Sequence, residues 1–87
     1  MDFIHAREYL QQGDTVVVNS SHQCNICLMI DSEFNSYRSG RSFQNYGGFY
    51  THFPVSIIVP HTDNWNVTLD LAGGTANIQY SISYIKR

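Results

Sequence analysis

The sequence predicts an all-β fold: a small antiparallel β-sandwich, jelly-roll-like, of six to eight strands with one short helical turn. Three observations predict it. Apolar residues recur at every second position through most of the chain, and turn-forming residues interrupt each run. Charged residues, which long exposed helices favour, make up only 14% of the chain, and Asn, Ser, Gln and Thr supply the polarity instead.

The elements follow in order. Residues 3–7 read as a first strand. Gln12-Gly13-Asp14 is a turn before a strand at 15–19, and Asn19-Ser20-Ser21-His22 leads into the next. There Ile26, Leu28 and Ile30 alternate with Asn25, Cys27 and Met29. Val55, Ile57 and Val59 alternate with Ser56 and Ile58; Trp65, Val67, Leu69 and Leu71 alternate with Asn66, Thr68 and Asp70. Ala76, Ile78, Tyr80, Ile82 and Tyr84 alternate with Asn77, Gln79, Ser81 and Ser83. Pro60-His61-Thr62-Asp63-Asn64 and Ala72-Gly73-Gly74-Thr75 are the intervening turns.

Successive strand side chains point to opposite faces, so each run describes one buried and one wet face, which favours antiparallel pairing. The expected core is Val16, Val18, Ile26, Leu28, Val55, Ile57, Trp65, Val67, Leu69, Ile78, Tyr80 and Ile82. The expected outer face of the run at 65–71 carries Asn66, Thr68 and Asp70. Residues 31–40 break the period. Asp31 is placed to cap one or two helical turns and Gly40 to take the left-handed conformation after them, with Phe34 and Tyr37 on one face. Residues 41–48 read as a loop.

The 87 residues allow one domain, 1–87. A net charge of −2 with five basic residues gives no basic footprint, so no nucleic-acid partner is expected. No apolar run approaches the ~18 residues of a membrane span. The N-terminus lacks the basic and apolar regions of a signal peptide, so a cytoplasmic location is expected.

Cys24-Asn25-Ile26-Cys27 has the spacing of a redox pair or half a zinc site. In a strand, however, residues i and i+3 face opposite ways and lie roughly 10 Å apart. His22 completes the set only if a turn folds the segment back. The expectation is therefore two unbridged thiols, no cofactor and no metal, with a metal- or thiol-based site at His22, Cys24 and Cys27 as the alternative. The remaining histidines, His5, His52 and His61, are scattered singly. No nucleophile elbow, phosphate loop or dinucleotide fingerprint occurs, so no catalytic residue is assigned.

Chemical contrast picks out residues 35–48 as the candidate ligand or partner site. Arg38 and Arg41 carry planar forks suited to carboxylate or phosphate; Tyr37 and Tyr46 carry rigid faces with a polar tip. Asn35 and Gln44 add amides, and Gly47 and Gly48 allow close approach of a partner backbone. The bland alternative is that Phe34, Tyr37, Phe43 and Tyr46 plug the open end of the sandwich.

The ordered series Gly13-Asp14, Leu28-Met29-Ile30-Asp31, Phe34-Asn35-Ser36-Tyr37, Gly40, Tyr46-Gly47-Gly48, Pro54-Val55, Pro60 and Trp65-Asn66-Val67-Thr68-Leu69-Asp70-Leu71 resembles the small bacterial family catalogued as domain of unknown function 1883. Asn45 stands where that family often has a second tyrosine, and Asn64 where it often has a histidine. The loop at 41–46 is also less basic than usual. The resemblance implies an all-β fold and no established activity. Some members are joined to TIR signalling domains, which implies a recognition role by association. The expected function is a non-catalytic recognition or protein-interaction module, monomeric or weakly self-associating. A structural subunit that assembles through sheet edges is the further alternative.

Overall fold

A computed structural model describes residues 3–71 and 78–87. Among them are seven strands and one helix: β1 (Ile4–Leu10), β2 (Thr15–Ser20), β3 (Cys24–Ile30), α1 (Asp31–Arg38), β4 (Gly48–Tyr50), β5 (Val55–Ile58), β6 (Asp63–Asp70) and β7 (Tyr80–Ile85). They form two antiparallel sheets, one of four strands in the order β1-β6-β3-β4 and one of three in the order β5-β2-β7. The predicted small all-β sandwich is what is observed. No helix among the described residues is long and apolar enough to cross a membrane.

The core lies between the sheets, because every second side chain of each strand must leave water. Leu10, Ile26, Leu28, Trp65, Val67 and Leu69 from the larger sheet meet Val16, Val18 and Val55 from the smaller one and Val59 just after β5. Four expected core positions differ. Ile57, Ile78 and Ile82 are only half-buried, and Tyr80 is 50% exposed. The reason for Ile82 and Tyr80 is position: among the described residues β7 lies at the edge of its sheet and pairs with β2 alone. The turn expected at residues 72–75 and the start of the last strand, Ala76 and Asn77, lie outside the described residues.

Asp14 ties the turn between β1 and β2 to Arg87. Its carboxylate accepts from the Gln11 N–H at 2.8 Å and from the Arg87 N–H at 3.0 Å. These backbone donors hold its carboxyl below the usual range. Gly13, at φ +91°, makes the tight turn, and its N–H reaches the Val59 carbonyl at 2.9 Å.

The helix ends as its sequence predicts. Gly40 takes φ +76°, its N–H donates to the Tyr37 carbonyl and the Arg41 N–H to the Ser36 carbonyl, the paired bonds of a Schellman cap. Its start departs from expectation. The N-cap is Ile30, with no side-chain cap, and Asp31 is the first helical residue. The Asp31 carboxylate is spent elsewhere, as described below.

The larger departure concerns the outer face of the four-stranded sheet. It is not wet. Phe34 and Tyr37 of α1 pack onto it with Met29, flanked by Phe3, Cys27 and Phe43, in a second small core. Asn66 (1% exposed) and Thr68 (0%) are therefore buried beneath the helix rather than facing water. Residues 41–48 are mostly loop, but Gly48 already belongs to β4, which pairs with β3.

Candidate functional site

The site is built on the covered face of the larger sheet, where strand register sets up rows of side chains. Arg7, Asn66 and Met29 form one row across β1, β6 and β3; His5, Thr68 and Cys27 form the next. The chain passes from β3 straight into α1, so Asp31 sits directly over the first row.

Asn66 is the centre. Its Nδ2 donates to the Met29 carbonyl at 3.2 Å and to Asp31 Oδ1 at 2.8 Å. Its Oδ1 is paired with His5 Nε2 at 2.8 Å. With both amide hydrogens used, Oδ1 acts as acceptor, so His5 donates to it through Nε2–H. The His5 ring is also stacked on Phe34, with centroids 4.1 Å apart and planes 12° from parallel.

Asp31 completes the network. Arg7 Nε donates to its Oδ1 at 3.0 Å and Arg7 Nη2 to its Oδ2 at 2.8 Å, a two-pronged pair. The Arg7 hydrogen bonds, then that from Asn66, pull the Asp31 carboxyl down to about 2. The same contact raises Arg7. Beside these groups lies a groove of about 260 Å³, lined by His5, Arg7, Asp31, Phe34, Asn35 and Asn66.

The lining offers hydrogen-bonding groups: an imidazole, a guanidinium, a carboxylate and two amides. Asp31 stays ionised at any ordinary pH. None of the hydrogen bonds among the described residues uses Arg7 Nη1, so that edge of the guanidinium remains available, with the Asn35 amide at the rim.

A second depression, of about 170 Å³, lies on the other side of the helix start. Its aromatic wall is Tyr46 and His61 against Trp65, with ring centroids 5.8 and 4.8 Å from the indole. Trp65 Nε1 donates to the His61 carbonyl at 3.0 Å, and Gln44 N–H to Glu33 Oε1 at 2.7 Å.

The residues expected from the sequence are distributed over these features. Asn35 lines the first groove. Arg38, exposed, lies over the Phe34 ring at 5.6 Å. Tyr37 is buried in the second core, where burial and then the charge of Asp70 push its phenol up. Arg41 is exposed and contributes its backbone N–H to the helix cap. Tyr46 belongs to the second depression. Gly47 has a packing reason, since a Cβ there would collide with the Ile26 carbonyl, and Gly48 opens β4.

His22, Cys24 and Cys27 do not converge. Cys24 is buried in the core between the sheets, Cys27 lies on the opposite face against α1, and His22 is exposed with Nδ1 2.7 Å from Ser21 Oγ. Both cysteines are free, and burial pushes both thiols up, away from the reactive thiolate. Among the described residues no group of three or more His, Cys, Asp or Glu is placed to hold a metal ion.

Sequence reasoning missed His5, Arg7, Asp31 and Asn66 as one constellation. The available signal was that β3 is apolar on both faces, through Cys27 and Met29, while Phe34 and Tyr37 form an apolar helix face. The two together imply a covered second face.

The model of the family described as domain of unknown function (DUF1883) matches residues 1–87, the whole chain. The chain belongs to that family. No curated protein and no solved structure matches it.

Proposed function

We propose, for a member of a family with no assigned activity, a non-catalytic recognition role centred on the groove between α1 and β1. The observation that carries this reading is the immobilised polar lining. The imidazole of His5 is held by Asn66 and Phe34, and the guanidinium of Arg7 by Asp31. Groups fixed before a ligand arrives lose little freedom on binding, which is what a binding site gains from such supporting bonds. The free edge of Arg7 with the Asn35 amide suits a ligand rich in acceptors, such as a carboxylate or phosphate. Arg38, resting on Phe34, adds a second planar cation nearby.

The test is an NMR titration of the full chain with inorganic phosphate and, separately, with succinate. Shifts are expected to concentrate on the His5 ring and the Asn35 and Asn66 side-chain amides. Asn35→Ala together with Arg38→Ala is expected to weaken them at least tenfold without unfolding the chain. Shifts centred on Tyr46 and His61 would transfer the reading to the second depression, and no shift in either would overturn it.

A further inference from the structure

Among the described residues each sheet has two edge strands, and three of these four are blunted. β1 carries His5, Arg7 and Glu8, with Arg7 and Glu8 engaged by Asp31 and Lys86 at 2.8 and 2.7 Å. β4 is three residues long. β5 is four residues long, with Pro54 immediately before it and Pro60 two residues after its end. Charge, shortness and proline are the devices that keep an edge from pairing with another chain.

β7 has none of them. Its six residues, Tyr80-Ser81-Ile82-Ser83-Tyr84-Ile85, include no charge and no proline. Among the described residues its one strand neighbour is β2. Register with β2 places Tyr80, Ile82 and Tyr84 on the inner face, opposite Ser20, Val18 and Val16. These three inner residues are left half-covered or exposed, as noted above for Tyr80 and Ile82.

The strand also reads the same in both directions about Ile82: Tyr-Ser-Ile-Ser-Tyr. In an antiparallel pair related by a two-fold axis through Ile82, Ile82 meets Ile82, each Ser81 meets a Ser83, and each Tyr80 meets a Tyr84. Inner face stays with inner face, because residues of the same parity are opposed. No like charges come opposite one another within these five positions. A two-fold interface requires one surface that complements itself, and β7 is such a surface.

We infer that β7 is a self-association edge, pairing antiparallel with β7 of a second copy of this chain about Ile82 to give a continuous six-stranded sheet. This is independent of the groove proposed above, which lies on the other sheet.

Sedimentation of the full chain over a range of concentrations tests it, with amide hydrogen exchange as a second readout. A concentration-dependent dimer is expected, with protection gained by the outward-facing amides of β7 as the dimer forms. Ser81→Lys with Ser83→Lys brings cations opposite cations and is expected to weaken the dimer at least tenfold, with circular dichroism unchanged. Ser81→Asn with Ser83→Asn, polar but uncharged, is expected to retain it. A chain that stays monomeric at the highest concentration overturns the inference. So does a dimer that survives the lysine pair, or one lost instead through Ile58→Lys on the outer face. Protection of β7 only on adding an unrelated strand-forming protein would assign the edge to a different partner and also overturn it.

Discussion

The Nδ2 of Asn66 donates across 2.8 Å to Oδ1 of Asp31, joining the centre of the four-stranded sheet to the first residue of the helix that covers it. This bond fixes the start of the helix on the sheet, beside the apolar packing of Phe34 and Tyr37. It also fixes the orientation of the amide, and through the amide the position of the His5 ring.

Asn66→Ala removes this bond together with those to Met29 and His5 and leaves a buried carbonyl and a carboxylate less well satisfied. The expected loss is about 1–3 kcal/mol, the range for stranding buried polar partners, measured by urea unfolding. A loss below about 0.5 kcal/mol, the range of ordinary surface substitutions, would show that the network does not tie helix to sheet.

The Asp31 carboxyl gives a pH dependence of known sign. Its pKa is about 2 in the folded chain, against ~3.9 for an unperturbed aspartate. The ionised form therefore favours folding. Its contribution is fully present above about pH 4 and is lost as the pH falls from there through 2. Asp14, also held low by the Arg87 and Gln11 backbone donors, acts in the same direction. Carboxyl titration by NMR is expected to place Asp31 well below the ordinary aspartate range, and Arg7→Gln to move it up. An Asp31 midpoint near 4 in the unaltered chain would contradict the two-pronged pair.

The hydroxyls of Tyr37 and Thr68 are buried without a well-formed hydrogen bond, their polar neighbours being each other, Cys27 and Asp70. A buried hydroxyl without a partner opposes folding, whereas an apolar group of the same shape does not. Thr68→Val and Tyr37→Phe are each expected to leave stability unchanged or raise it, by up to about 1–2 kcal/mol, in thermal or urea unfolding. A loss above about 1 kcal/mol in either would mean that these hydroxyls are bonded in solution.

The sandwich was legible in the sequence because its cause is local. A period of two, broken by Gly, Pro, Asn and Asp, assigns inside and outside to each strand separately, and Val16, Ile26, Leu28, Val67 and Leu69 follow it into the core. The helix end was legible for the same reason, since Gly40 and its cap bonds involve neighbours in the chain. The site was not. Asn66 reads as an outward polar residue of an alternating strand, and only the placement of α1 over that face buries it. His5, Asp31 and Asn66 meet across sequence separations of 61 and 35 residues, and no local pattern encodes such a meeting. Strand alternation says which way a side chain points but not what lies above it. The apolar face of α1 decided that, because Phe34 and Tyr37 escape water only by covering a face of the sheet, and the polar residues beneath then had to find their partners in one another.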